Sequence, residues 1–138
     1  IELCSNEIIN TVLYIKNKES NEYNVNLKVN IEESGPVLTD GYDLCRLLHN
    51  IIDNSITAAS LSNIKICEIS IEINTKEIII TSKNSFKKTV KKSNIEEHGY
   101  GIKIIKEICK KYSGNYTSSV ENNIYYSKTS FFNKNLKS

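Results

Sequence analysis

Four polar residues recur every three or four positions along one segment of the chain: Arg46, Asn50, Asn54 and Thr57. Apolar residues in the same segment, Leu44, Leu47, Leu48, Ile51, Ile52, Ile56 and Ala59, have the spacing of a helix with one buried stripe. The four polar side chains therefore stack along one shoulder of that helix. Asparagine is a mediocre helix former because its amide competes for backbone bonds. Two of them a turn apart beside a core need a reason. Two amide oxygens at that separation suit a hard cation such as magnesium, which keeps some of its water and shares phosphate oxygens rather than demanding an all-protein cage. The chain is rich in asparagine, so the pair also reads as an ordinary exposed helix face, and the segment alone leaves both readings open.

A second segment adds weight to the first. His98-Gly-Tyr-Gly-Ile102 opens an amphipathic helix, Ile102 to Tyr112, with Ile102, Ile104, Ile105, Ile108 and Cys109 inward and Gly114 expected at its C′ position. Glycines let backbone N–H groups approach an anion, and a helix start adds unpaired donors and a positive dipole end. Such a glycine pair is a weak signal by itself. Its value lies in its partner, the asparagine helix upstream, with a hairpin and a lysine-bearing loop (Lys87, Lys88, Lys91, Lys92) between them.

The remaining elements must position these two. Residues 5–19 read as a first helix with Ser5 as N-cap and Glu7 in its first turn. Residues 25–31 alternate apolar and polar as a half-buried strand, which Glu33-Ser-Gly-Pro36 breaks. Thr39 and Asp40 are cap candidates for the asparagine helix, which ends near residues 61–63. Strands follow at 64–73 and 77–82 across an Asn74-Thr75 turn, then a loop over 83–98. After the glycine-led helix, strands at 115–120 and 123–132 form a closing hairpin, and the last six residues are expected to fray. Three helices against one mixed sheet of about five strands make an α+β two-layer sandwich.

The totals bound the rest. At 138 residues the chain is expected to be one domain, and 39% hydrophobic with 25% charged residues is ordinary for a globular protein. A net charge of +2 gives no electrostatic case for nucleic acid or an acidic membrane surface. Four cysteines, at 4, 45, 67 and 109, form no CxxC and have no histidines at zinc spacing. Cys45, Cys67 and Cys109 lie in apolar-periodic segments and are expected to be buried, reduced thiols, as suits a reducing cytosol. No apolar run approaches the length of a membrane span. His49 and His98 are the two histidines, and the chain opens on Ile1, which suggests a piece of something longer.

Asn50-Ile-Ile-Asp-Asn54 and His98-Gly-Tyr-Gly-Ile102 resemble the N-box and the second glycine box of the GHKL ATP-binding fold, shared by gyrase, Hsp90, MutL and histidine kinases. The opening piece from Ser5 to Lys16 and the Ile-Asp-Asn-Ser-Ile phrase are most similar to the Agr-type peptide-sensing kinases of Gram-positive bacteria, a resemblance running over roughly residues 3 to 120. It implies that Asn54 ligates the Mg2+ bridging the ATP phosphates and that Asn50 assists. It also implies that Gly99, Tyr100, Gly101 and Ile102 form the phosphate-contacting, hinging box. In ATP-hydrolysing members a water-activating glutamate stands at the place of Asn50. An amide cannot take up that proton, which favours a kinase over an ATPase.

Two positions depart from the wider pattern. The usual adenine-binding Asp-x-Gly-x-Gly is replaced by Thr81-Ser-Lys-Asn-Ser-Phe86, and Asn84 matches the asparagine that the Agr-type group carries there. An asparagine amide offers an oxygen to the adenine amino group and an N–H to a ring nitrogen. Thr57 stands where that group carries an acidic residue.

The expectation is the cytoplasmic catalytic domain of a membrane-anchored bacterial sensor kinase of a two-component, quorum-sensing type. Residues 1–138 would lack the sensor and the helical hairpin that carries the phosphoacceptor histidine. The domain would hold Mg-ATP and donate the γ-phosphoryl to that hairpin, with a response regulator downstream. It would be monomeric within a dimeric parent and unable to phosphorylate itself alone. The alternative is an interaction module of the same fold with a degenerate nucleotide site. A hydrolysing ATPase ranks third, because of Asn50.

Overall fold

The structure, a computed structural model, describes residues 3–87 and 101–136. In chain order the elements are α1 (Glu7–Glu22), β1 (Asn26–Glu33), α2 (Gly41–Ser60), β2 (Ile66–Ile73), β3 (Glu77–Ser85), α3 (Gly101–Lys111), β4 (Asn115–Glu121) and β5 (Ile124–Phe132). The five strands form one sheet in the order β1-β2-β3-β5-β4. β1 and β2 are parallel, joined by α2 as a crossover, and the other neighbours are antiparallel. This is the expected two-layer α+β sandwich.

Period-two alternation decides which face of the sheet is covered. Ile69, Ile71 and Ile73 on β2, Ile78 and Ile80 on β3, and Phe131 on β5 are buried with Leu47, Leu48, Ile51 and Ile52 of α2 and Ile105 and Ile108 of α3. Each such side chain contributes about 1.5–3 kcal/mol by leaving water. At one end of the same face the pattern continues with polar residues. Ser82 lies opposite Ser127 and Asn84 opposite Tyr125, and all four are buried.

Local departures from expectation have local causes. Asn6, not Ser5, caps α1, its Oδ1 accepting from Ile9 N at 2.9 Å. Ser5 instead donates to Glu33 through its backbone N (2.9 Å) and Oγ (2.8 Å), pinning the chain start to the end of β1. β2 begins at Ile66, because Lys65 takes a left-handed turn (φ 55°) and Ile64 is left exposed. At the end of α3 the left-handed residue is Ser113 (φ 56°), so Gly114 is not the C′ residue. Ser113 N donates to Lys110 O at 3.1 Å and Gly114 N to Cys109 O at 2.7 Å, a Schellman closure. Gly114 is glycine because a Cβ there would stand 2.1 Å from Ser130 O. The closing hairpin turns on Asn122 and Asn123, both at positive φ (51° and 63°), as a two-residue turn with matching twist requires.

Asn133, inside the tail expected to fray, is buried. Its Oδ1 accepts from Leu38 N (2.8 Å), and its Nδ2 donates to Pro36 O (2.8 Å) and Asn74 O (3.0 Å). One amide thus fastens the end of the chain to two separate turns.

Candidate functional site

α2 starts at Asp40, which caps it by accepting from Asp43 N at 3.2 Å. Its apolar stripe packs on the sheet, which sets the polar shoulder at the border with α3. Arg46, Asn50 and Asn54 are half-buried there, whereas Thr57 is exposed. Asn50 Nδ2 donates to Arg46 O at 2.7 Å, so its amide is oriented by its own helix. The Asn54 amide makes no hydrogen bond among the described residues.

Gly101, the first residue of α3, is buried against this pair. A Cβ placed on it would lie 3.1 Å from Asn54 Oδ1, 3.3 Å from Asn54 Nδ2 and 3.4 Å from Asn50 Oδ1. The start of α3, where four backbone N–H groups lack helical partners, is thus set beside two asparagine oxygens. Sequence spacing pairs Asn50 with Asn54, and the fold adds Gly101. Ile102 follows with its side chain half-buried against the core. Gly99, Tyr100, His98, Lys88, Lys91 and Lys92 lie outside the described residues.

Asn84 sits in a strand, not in a loop. β3 runs on to Ser85, three residues beyond the expected end, because Lys83, Asn84 and Ser85 pair with Tyr126, Tyr125 and Ile124. Ser85 Oγ fixes this end further, accepting from Ile66 N at 3.0 Å and bonding Ser62 Oγ at 2.7 Å. Asn84 is 1% exposed. Its Nδ2 donates to Ser85 O at 2.9 Å, and its Oδ1 is buried with no partner. One of the two Nδ2 protons is thus used within the protein, and the oxygen is the group left wholly without a partner. Leaving such an oxygen unsatisfied costs about 1–3 kcal/mol, which a donor on a ligand would recover.

Sequence reading missed a polar slot between α2 and the sheet. The hydroxyls of Ser82 and Ser127 bond one another across β3 and β5. Tyr116 and Tyr125 hydroxyls meet at 2.9 Å, and Ser55 Oγ donates to Ile51 O at 3.2 Å. With Asn54 these groups line a cavity of about 10 Å3. Neither serine stands out in sequence; only strand register brings them together.

Asp53, between the two asparagines in sequence, faces elsewhere. Lys16 of α1, almost fully buried, places Nζ 2.8 Å from Asp53 Oδ1 and 2.9 Å from Glu19 Oε2. His49 Nε2 lies 3.5 Å from the other Asp53 oxygen. Asp53 thus fastens α1 to α2. Arg46 lies over the Tyr42 ring at 5.3 Å. Beyond it, Asp43 Oδ2 receives Tyr112 Oη at 2.7 Å and Lys111 Nζ at 2.8 Å, joining the end of α3 to the start of α2. Burial pushes the Asp43 carboxyl up, but the Lys111 and Tyr112 hydrogen bonds and the Lys111 and Arg46 charges outweigh it and hold it below its ordinary value. Burial, and then the bond to Asp43, push the Tyr112 phenol up to about 12.

Among the described residues no group of three or more His, Cys, Asp or Glu side chains is placed to hold a metal. The oxygens of Asn50 and Asn54 fit a hard cation that brings most of its ligands with it, as magnesium on phosphates does. Cys4, Cys67 and Cys109 are buried, and burial raises the thiols of Cys67 to about 12 and Cys109 to about 11. Cys45, expected to be buried, is exposed: it follows Leu44 on α2 and points off the stripe. No helix among the described residues is long and apolar enough to cross a membrane.

Solved structures with this fold include histidine kinase domains. The nucleotide-free catalytic domain of histidine kinase ThkA matches with a TM-score of 0.71 at 17% identity, over 94% of each chain. A second nucleotide-free form of that domain gives 0.69 at 16% identity over 97% of each. The Acinetobacter baumannii histidine kinase AdeS gives 0.72 at 17% identity, over 93% of this chain but 64% of its own. Comparison with curated proteins gives no match. By sequence, the GHKL domain family matches residues 40–131, the span that holds α2, the asparagine pair, β3 and α3. This chain belongs to the GHKL domain family.

Proposed function

We propose that this domain binds Mg-ATP as the catalytic part of a two-component sensor histidine kinase and presents the γ-phosphoryl to a histidine on a separate helical hairpin. The observation that carries the reading is the meeting of Asn50, Asn54 and Gly101, two amide oxygens beside the first residue of a helix. GHKL domains bind ATP generally, and the histidine kinases that share this fold support the kinase assignment. Asn54 and Asn50 would hold the cation, and the first backbone N–H groups of α3, with Gly99 and Tyr100 before them, would receive phosphate oxygens. Asn84 Oδ1 would accept from the base amino group. Bound magnesium would neutralise phosphate charge at that point. Asn50, an amide, cannot deprotonate water, so the triphosphate would wait for its acceptor.

Nucleotide sites usually need several hundred Å3. Gly101 stands within van der Waals reach of the Asn54 and Asn50 amides, so a nucleotide lodged between them requires the first turn of α3 to stand off. The same closeness favours a second reading, an interaction module of this fold without catalysis. Titration with a fluorescent ATP analogue separates the two. Micromolar or tighter binding that strengthens with Mg2+ and is lost in Asn54→Ala supports the kinase domain; no binding by the folded protein supports the module. The parent's peptide signal, its membrane anchor and its response regulator belong to the same proposal.

A further inference from the structure

We infer that the slot beneath Asn54 holds one ordered water that links the Asn54 amide to the serine pair of β3 and β5, and that Ser82 and Ser127 are thereby positioning residues for Asn54. The inference rests on the reading of Asn54 as a cation ligand for its consequence, but not for the water itself.

A cavity of about 10 Å3 is close to one water in size. A dry cavity that small would normally be apolar, and a buried water normally needs two to four polar partners. Six polar side chains line this one: Asn54, Ser55, Ser82, Tyr116, Tyr125 and Ser127. The bond within the serine pair does not exhaust it. Ser82 and Ser127 share one hydrogen bond but carry two hydroxyl protons, so one proton of the pair still seeks an acceptor. The serines are 4% and 7% exposed, so bulk water does not reach them freely. Asn54, half-buried above, has both an acceptor and donors and no bond among the described residues. A water between them takes the leftover serine proton and meets the Asn54 amide.

The consequence is orientation. Asn50 is aimed by its bond to Arg46 O, whereas no hydrogen bond among the described residues aims Asn54 directly. A bridging water anchored on two strands supplies that constraint. It leaves the amide's other edge toward Gly101, where the cation would bind.

The test uses this chain as it is, with Ser82→Ala, Ser127→Ala and the double variant, each checked for folding by its backbone amide spectrum. A crystal structure of the nucleotide-free protein should show one water within hydrogen-bond reach of the Asn54 amide and of Ser82 or Ser127. A dry slot, or a water that ignores Asn54, overturns the inference whatever the protein does with nucleotide. The Asn54 side-chain NH2 resonances should be sharp in the wild type and broaden or shift in the double variant; unchanged resonances also overturn it. If the wild type binds Mg-nucleotide, the folded double variant should lose about tenfold in Mg-dependent affinity, in line with losses from outer-shell changes at metal sites. Its metal-free nucleotide affinity should stay the same. Equal loss in both overturns the positioning role. A wild type that binds no nucleotide defeats the kinase reading alone, and the water stands or falls on the first two measurements.

Discussion

Replacing Asn54 with alanine removes an amide that has no direct hydrogen bond among the described residues and sits mid-helix, where alanine is the better former. Stability should therefore change by no more than about 0.5–1 kcal/mol in a thermal melt. Mg-dependent nucleotide affinity should fall at least about tenfold by calorimetry, since even outer-shell losses at metal sites reach that size. The separation of the two readouts is the point: a packing residue would move both. Gly101→Ala puts its methyl 3.1–3.4 Å from the same amides, so it should weaken Mg-nucleotide binding while the helix start gains from propensity. Cysteine chemistry gives a check independent of nucleotide. In the native protein a thiol reagent should modify Cys45 quickly, and Cys4, Cys67 and Cys109 only after denaturation. The period of α2 placed Asn50 and Asn54 correctly at a helix border. It misplaced Cys45, because neighbours on a helix lie about 100° apart and a thiol beside a buried leucine need not share its side.

At the scale of elements, α3 is held differently at its two ends. Its last turn is tied to the start of α2 through Tyr112, Asp43 and Lys111, and Gly114 presses on β5. Tyr112→Phe removes a hydroxyl that donates to Asp43 and accepts from Asp40 N at 3.2 Å, and should cost about 1–3 kcal/mol in denaturant unfolding. The ionisation of this cluster sets two limbs of the stability profile. Asp43 titrates below 3.8 when folded, so its contribution is present above that value and is lost as pH falls through the depressed one. Tyr112 moves from 10.0 to about 12, so the folded state holds its proton longer and stability drops as pH rises between those values. Asp43→Asn should flatten the acid limb and Tyr112→Phe the alkaline one, read from melting temperature against pH. The glycine after α3 was legible as a stop signal, but its reason was not. Its tight approach to Ser130 is a tertiary fact that local sequence does not contain.

For the molecule as a whole, incubation of this chain with labelled ATP should leave no acid-labile phosphohistidine, since the proposed acceptor lies on another domain. Label on His49 or His98 would refute that. The layer order and every element among the described residues were readable from periodicity, because strands and helices bury alternate or every-third-to-fourth residues. The sheet order was not, since pairing is decided between segments far apart. β3 was read short for the same reason: Lys83, Asn84 and Ser85 have no strand-like apolar signal and are extended by their neighbours' register. Asn133 was beyond local reading altogether, its partners lying 59, 95 and 97 positions away. Asn133→Ala should cost about 2–3 kcal/mol, having left several buried backbone groups without partners. The unequal mooring of α3 has a mechanical result. Eleven residues make an arm of about 16 Å, tied by hydrogen bonds at the Asp43 end and, among the described residues, touching the amides without a hydrogen bond at the other. A tilt of about 10° about that fixed end swings the tip by nearly 3 Å, roughly an oxygen's width, without breaking any bond at the fulcrum.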